Sequence, residues 1–252
     1  MLKRHRIQFP PENSTRLAQS EVIFHLVEND KRHQLRFHDY DELYKRPGLY
    51  EQVFYERLQC NSPVKVAEIL EDTLTANAED MFGLRVLDLG AGNGIMGEEL
   101  KKHGVSRLVG ADIIPEARDA AWRDRPSVYD DYVVADFSDL TGAQREELES
   151  WRFNALTVVA ALGFADIPVE AFVPAMNLVE DRGWVAFNIK ETFLQESDDS
   201  GFSSFIRKLI FSEYLEVHHL ERYRHRLSME GEPLYYYAMV ARKMKDVPDS
   251  LD

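Results

Sequence analysis

The sequence carries a single cysteine in 252 residues, Cys60. That excludes an intrachain disulfide and a cysteine-rich zinc site, and it fits a reducing compartment. The thiol lies in Gln59-Cys60-Asn61-Ser62-Pro63, just ahead of a helix start, and reads as a half-buried structural group rather than a nucleophile. Long apolar runs are also missing. None approaches the roughly 18 residues that a membrane span needs. The basic start Met1-Leu2-Lys3-Arg4-His5-Arg6 is followed by polar sequence and Pro10-Pro11, not by an apolar stretch of signal-peptide type. The location expected is cytoplasmic. Positive charge is scarce: 30 Lys and Arg stand against 44 Asp and Glu, a formal net charge of −14. Such a surface repels a phosphate backbone and argues against nucleic acid as a generic partner. The runs Lys3-Arg4-His5-Arg6 and Lys31-Arg32-His33 read as a solvated tail and turn. Internal repeats and low-complexity segments are absent.

What is present is an ordinary globular composition, 44% hydrophobic and 29% charged. The pattern divides the chain into a cap over residues 1–80, a core over 81–246 and a flexible tail over 247–252. Residues 1–20 look loose. Glu21–Val27 and His33–His38 predict a β-hairpin about Glu28-Asn29-Asp30-Lys31. After the Pro47-Gly48 turn signal, 49–59 reads as a helix. Another helix starts at Ser62, an N-cap with Pro63 in the first helical position, and its Val66, Ile69, Leu70 and Leu74 form one apolar face.

From residue 83 to 195 strands and helices alternate. Strands are predicted at 84–89, 107–111, 132–135, 155–162 and 184–189, and helices at 95–103, 115–123 and 168–180, the last disturbed at Pro174. This rhythm argues for an α/β fold, a doubly wound, Rossmann-like, mostly parallel sheet. An amphipathic helix at 201–214 follows. Two strands, 215–227 and 234–243, then end the sheet in an antiparallel hairpin.

The informative stretch is Val86-Leu87-Asp88-Leu89-Gly90-Ala91-Gly92-Asn93-Gly94, where a buried strand enters a glycine-rich turn and then a helix. Glycine permits positive φ and close approach of a ligand, and a helix N-terminus adds unpaired N–H groups. A dinucleotide site would show Gly-x-Gly-x-x-Gly and hold a pyrophosphate. Asp88, two residues before the first glycine, is a poor neighbour for a pyrophosphate and a good one for a ligand bearing an ammonium and a sulfonium.

This stretch resembles the first motif of the class I S-adenosylmethionine-dependent methyltransferases. Two further matches follow in order, Val109-Gly110-Ala111-Asp112-Ile113-Ile114 and Val133-Val134-Ala135-Asp136-Phe137. The resemblance covers 80–195 in detail and implies a cofactor site of Asp88, Gly90, Ala91, Gly92, Gly94, Asp112, Ile113, Asp136, Phe137, Ala161 and Leu162. In it Asp112 takes both ribose hydroxyls, Ile113 packs on the adenine, Asp136 accepts from the adenine amino group, and the Phe137 N–H meets the ring. The end of the fourth strand lies near the transferred methyl. The cofactor implied is S-adenosylmethionine, with S-adenosylhomocysteine as product. Simpler roles stand beside these: Asp112 as a strand-end cap and Asp136 as a turn residue.

In-line methyl transfer needs alignment and sometimes proton removal. It requires no metal, none is expected, and no universal catalytic residue follows from it. Tyr40-Asp41 and Tyr44 resemble the segment that folds over the cofactor in small-molecule branches, although a second Tyr-Asp is missing and Lys45 follows Tyr44. Tyr40 and Tyr44, with His38 as a possible base, are the catalytic candidates. The same tyrosines, with Tyr50 and Tyr55, would serve equally as cap-core aromatics. The segment Ala161-Leu162-Gly163-Phe164-Ala165-Asp166-Ile167-Pro168 lacks the acid-proline-proline-aromatic pattern of nucleic-acid amino methyltransferases, and Asp166 reads as a helix N-cap. Arg222, Arg224 and Arg226 alternate and should share a solvated strand face. The acceptor expected is a small molecule, with no membrane partner, for a monomer or homodimer. The alternatives are a methyltransferase acting on protein or RNA, a non-catalytic S-adenosylmethionine-binding regulator or scaffold, and a nicotinamide oxidoreductase.

Overall fold

The computed structural model describes residues 4–10, 21–162, 167–191 and 202–248, with no side-chain description at 202–203. Among the described residues no helix is long and apolar enough to cross a membrane. The Asp166 cap and most of the loose 1–20 stretch lie outside the described residues. The chain divides into two units: Met1–Asn61 with Arg224–Leu234, and Ser62–Tyr223 with Tyr235–Asp252. The division falls at 61/62, whereas the sequence pattern places it near 80. The apolar face of the helix Ser62–Ala76 is the reason, because it is buried with the core of the second unit.

The first unit holds an antiparallel sheet of β1 (Arg6–Gln8), β2 (Ile23–Glu28) and β3 (Lys31–Arg36), in that order. Asn29 and Asp30 form the two-residue hairpin loop at φ 50° and 59°, the positive values that such a tight turn favours. Short helices α1 (Tyr40–Tyr44) and α2 (Leu49–Glu51) follow, and α2 runs into a π-helical segment, Gln52–Arg57, where the sequence predicts a plain helix. Gln52 fixes this segment to the strand region, since its side chain accepts from the His5 N–H and donates to the His5 carbonyl, both at 2.8 Å. Phe24, Leu26, Phe37, Leu43, Leu49 and Val53 form the unit's core.

The second unit holds a seven-stranded sheet. Its strands are β4 (Arg85–Leu89), β5 (Arg107–Asp112), β6 (Asp131–Val134), β7 (Ala155–Val158), β8 (Trp184–Lys190), β9 (Leu215–Leu227) and β10 (Pro233–Lys243). They run β6-β5-β4-β7-β8-β10-β9, with the first five parallel and β10 antiparallel to β8. The helices are α3 (Ser62–Ala76), α4 (Ile95–Lys102), α5 (Pro115–Asp124), α6 (Gly142–Ser150), α7 (Val169–Asn177) and α8 (Phe202–Phe211). Side-chain alternation along the strands makes the sheet doubly wound. Val86, Ala155, Trp184, Ala186, Ala238 and Val240 enter one core with α3 and α4. Leu87, Leu89, Leu156, Val158, Val185 and Phe187 enter the opposite core with α7 and α8.

Several elements depart from the sequence expectation. Helix α6 is an addition to the predicted elements, although Thr141 and Gln144 form a capping box at its start. Strand β7 stops at Val158 instead of 162, and Ala160 turns at φ 57°. Helix α7 contains Pro174 but ends at Asn177. Val247 is not part of a free tail: it is buried, and its backbone exchanges two hydrogen bonds with the Asn177 side chain. Arg226 does not share the solvated face of Arg222 and Arg224. It is buried beside Phe37 at 5.7 Å from the ring centroid.

Candidate active site

Parallel strands β4 and β7 are neighbours whose chain connections lead to opposite sides of the sheet, so a crevice is expected beyond their carboxyl ends. The glycine loop sits there. Gly90, Gly92 and Gly94 have φ of 72°, 54° and 87°, values that cost any L-residue strain. The loop is tied inward. Gly90 and Ala91 N–H both donate to the Ala111 carbonyl, Gly92 N–H to Asp112, and Gly94 N–H to the Ala91 carbonyl. These four donors serve the protein itself, whereas a pyrophosphate cradle would aim backbone N–H groups at the ligand. Gly90 also receives close neighbours: a Cβ there would lie 2.8 Å from Ala161 Cβ and 2.9 Å from Ile167 Cδ1.

Asp88 lies beneath the loop, fully buried. Its Oδ1 accepts from the Thr157 hydroxyl and its Oδ2 from the Tyr129 hydroxyl, each at 2.7 Å. Burial pushes its carboxyl up to about 6; the two hydroxyls pull it back and Asp112 adds repulsion. Burial likewise pushes the Tyr129 phenol well above its usual range, helped by the Asp88 charge, so Tyr129 stays a donor. Tyr132 donates to the Gly92 carbonyl at 2.8 Å, Arg125 donates to the carbonyl of the buried Asn93 at 3.2 Å, and the Tyr129 and Tyr132 rings meet edge-on. Sequence reasoning missed Tyr129, Tyr132, Arg125 and Thr157. The residues themselves carry little signal, since a tyrosine in or beside a strand is common and only the packing shows where its hydroxyl points.

Asp112 ends β5 next to the loop. Its Oδ2 accepts the Gly92 N–H at 3.0 Å and its Oδ1 the Ile114 N–H at 3.2 Å. Ile113 beside it is 60% exposed, an unusual state for isoleucine. On the adjacent strand Asp112 pairs with Val134, and the Ala135 N–H donates to the Asp112 carbonyl. That bond brings Asp136 and Phe137 to the same edge. Asp136 is exposed and accepts from both the N–H and the hydroxyl of Ser138, which hold its carboxyl below the usual range. The Phe137 ring is buried in the core, leaving only its backbone for a ligand role. Ala161 and the buried Leu162 follow β7, where the Ala161 carbonyl accepts from the Ile167 N–H.

Tyr40, Tyr44 and His38 belong to the first unit. Tyr44 is buried. His38, Tyr40, Tyr44 and Tyr50 form a chain of ring contacts with centroids 5.0–6.2 Å apart. The ring chain continues to Phe54, and the packing is that of an aromatic core.

The seven-stranded sheet, parallel over five strands and antiparallel at its end, is the Rossmann-like fold that class I methyltransferases share, and the glycine loop, Asp112 and Asp136 lie at its carboxyl edge. Residues 87–187 match the family described as methyltransferase domain. No curated protein matches the chain by sequence. Solved structures share the fold at low identity. Thermoplasma acidophilum 1320 is 16% identical with a TM-score of 0.52, covering 81% of this chain and 97% of its own. Magnesium protoporphyrin IX methyltransferase of Synechocystis PCC 6803, with bound S-adenosylhomocysteine, is 14% identical with a TM-score of 0.50, covering 71% and 82%. Pyrococcus horikoshii PH1948, whose assignment as an RNA methyltransferase is itself provisional, is 14% identical with a TM-score of 0.52, covering 72% and 81%.

Proposed function

We propose that this protein transfers the methyl group of S-adenosylmethionine to a small-molecule acceptor, with Asp112 as the anchor of the cofactor. The observation that carries this reading is the Asp112 carboxylate, locked to the glycine loop through Gly92 and set beside an exposed Ile113. A carboxylate has about four acceptor sites, so it can hold two backbone N–H groups together with the two hydroxyls of a ribose. Ile113 offers an apolar face to the adenine. Asp136 and the Phe137 N–H stand one strand further along for the base's polar edge. Gly90, Ala91, Gly92 and Gly94 shape the floor, and Asp88 acts beneath them by holding Tyr129 and Thr157. Ala161 and Leu162 border the methionine end.

When bound, the cofactor would supply a sulfonium methyl whose carbon an acceptor attacks in line, the S–CH3 bond breaking to leave S-adenosylhomocysteine. The protein's part is alignment and exclusion of water. Tyr40, Tyr44 and His38 stay the catalytic candidates, all three within the cap unit. The net charge of −14 and the apolar Ala160-Ala161-Leu162 segment that follows β7 support a small acceptor over a nucleic acid. The lone cysteine supports a cytoplasmic setting.

Calorimetric titration with S-adenosylmethionine and S-adenosylhomocysteine, beside Asp112→Ala and an NADH control, tests the reading. Micromolar binding by the wild type, weakened at least about tenfold in the variant and absent for NADH, is expected; tenfold is about 1.4 kcal/mol, a modest loss for charge-assisted hydrogen bonds. Folded wild-type protein that binds neither methyl-cycle ligand would overturn it. Tight NADH binding would move the protein to the oxidoreductases.

A further inference from the structure

The α3-facing side of the parallel sheet is apolar except near its carboxyl edge, where Asp88, Thr157 and Asn188 interrupt it. Asp88 and Thr157 serve the glycine loop. Asn188, on β8, is buried to 1% exposure and does something else. Its Oδ1 accepts the Ala160 N–H at 2.6 Å, and its Nδ2 donates to Ser62 Oγ at 3.1 Å and to Tyr223 Oη at 2.7 Å. Ser62 and Tyr223 are themselves 2.6 Å apart, so the amide is held by α3 and β9 together. Ala160 is the residue at which the chain leaves β7, and it stands at φ 57°, in the left-handed region. Alanine seldom adopts that region, and such a conformation persists only where its surroundings impose it. The next residue is Ala161, whose Cβ closes on Gly90.

We propose that Asn188 is a positioning residue for the cofactor crevice: its buried amide holds Ala160 in the left-handed turn and thereby sets Ala161 against the glycine loop. The proposal rests on the cofactor reading above. A buried amide that both accepts and donates is suited to the task, because two hydroxyls fix its plane while the third bond reaches the backbone. Without it, Ala160 relaxes toward negative φ, Ala161 swings away from Gly90, and the wall between β4 and β7 opens. The effect reaches the cofactor only through backbone geometry, since Asn188 itself lies inside the sheet's core.

The probe is S-adenosylhomocysteine, titrated calorimetrically into the full chain well below its melting temperature. Asn188→Ala should weaken binding at least about tenfold. Asn188→Asp keeps an acceptor for the Ala160 N–H, with Ser62 and Tyr223 able to donate to it, and should stay within about threefold of wild type. Ala160→Gly in the Asn188→Ala background should restore most of the affinity, because glycine takes positive φ without strain. Asn177→Ala, which unseats Val247, should lower the melting temperature and leave affinity unchanged, so general destabilisation is separated from positioning. Should Asn188→Ala not fold, Ala160→Val disturbs the same turn with Asn188 intact, and its wild-type affinity would overturn the proposal. Equal affinity of Asn188→Ala and a binding wild type overturns the positioning role alone. Failure of the wild type to bind overturns the cofactor reading and this role with it.

Discussion

Substituting alanine at three glycines of the second unit separates backbone strain from crowding. Gly104 has φ 94° and nothing within 4 Å of where a Cβ would stand, so Gly104→Ala feels strain only, roughly 1–2 kcal/mol for an L-residue in the left-handed region. Gly97 lies inside α4 without positive φ, and its Cβ would stand 2.5 Å from Val128 Cγ1 and 2.7 Å from Tyr129 Cζ. Overpacking costs about 1–3 kcal/mol and helix propensity returns about 1, so Gly97→Ala should cost roughly 0–2 kcal/mol. Gly90 combines both effects. Its φ is 72° and its Cβ would lie 2.8 Å from Ala161 Cβ, an atom that cannot rotate away. Ile167 Cδ1, at 2.9 Å, is the end of a flexible side chain and can yield. Gly90→Ala should therefore cost roughly 2–5 kcal/mol, strain and crowding together. Urea unfolding of the three variants measures these costs, and calorimetry with S-adenosylhomocysteine should show Gly90→Ala as the worst binder. Adding Ala161→Gly to Gly90→Ala should recover the crowding part and leave the strain. A Gly90→Ala cost no larger than that of Gly104→Ala would refute the close packing of the loop against β7.

Two further predictions concern stability, beside those stated for Asp112 and Asn188. The Asp88 carboxyl titrates near 6 when folded against 3.8 ordinarily; a raised value means its contribution is fully present below pH 3.8 and is lost as pH rises through about 6. The loss is about 3 kcal/mol, two pKa units at 1.36 each. Asp88→Asn can still bond both hydroxyls, so urea unfolding from pH 4 to 7 should show the variant gaining on the wild type by most of that amount; a constant difference would mean the carboxyl is not raised. Asn177→Ala removes both hydrogen bonds to Val247 and should cost about 1–3 kcal/mol by urea unfolding, with an unchanged midpoint showing that the docked segment is not part of the cooperative fold.

Local signals carry much of this protein. Alternation of apolar strands with helices needs no partner to be read, because a strand buried on both faces must be apolar throughout and a helix must repeat every 3.6 residues. The glycine loop, Asp112 and Asp136 are legible for the same reason: each lies at or within two residues of the end of its strand, so chain order places it at the carboxyl edge. The hairpin about Asn29-Asp30 is a turn signal of two residues.

Long-range packing decides the rest. Asp88 reads as facing a ligand until the register sets it beside Thr157 and under Tyr129, 41 residues away in the chain. Arg226 alternates like Arg222 and Arg224, yet it is buried where its strand passes Phe37. The early end of β7 at Val158 has no mark in an apolar run. Beyond it the Ala160 N–H donates to the amide of Asn188, 28 residues further on, a partner that no local pattern reveals. Sequence by itself determined which strand ends carry the glycine loop and the acids, because that depends on neighbours in the chain; only the tertiary structure decided which polar groups are buried and which partners hold them, because that depends on residues brought together by the sheet.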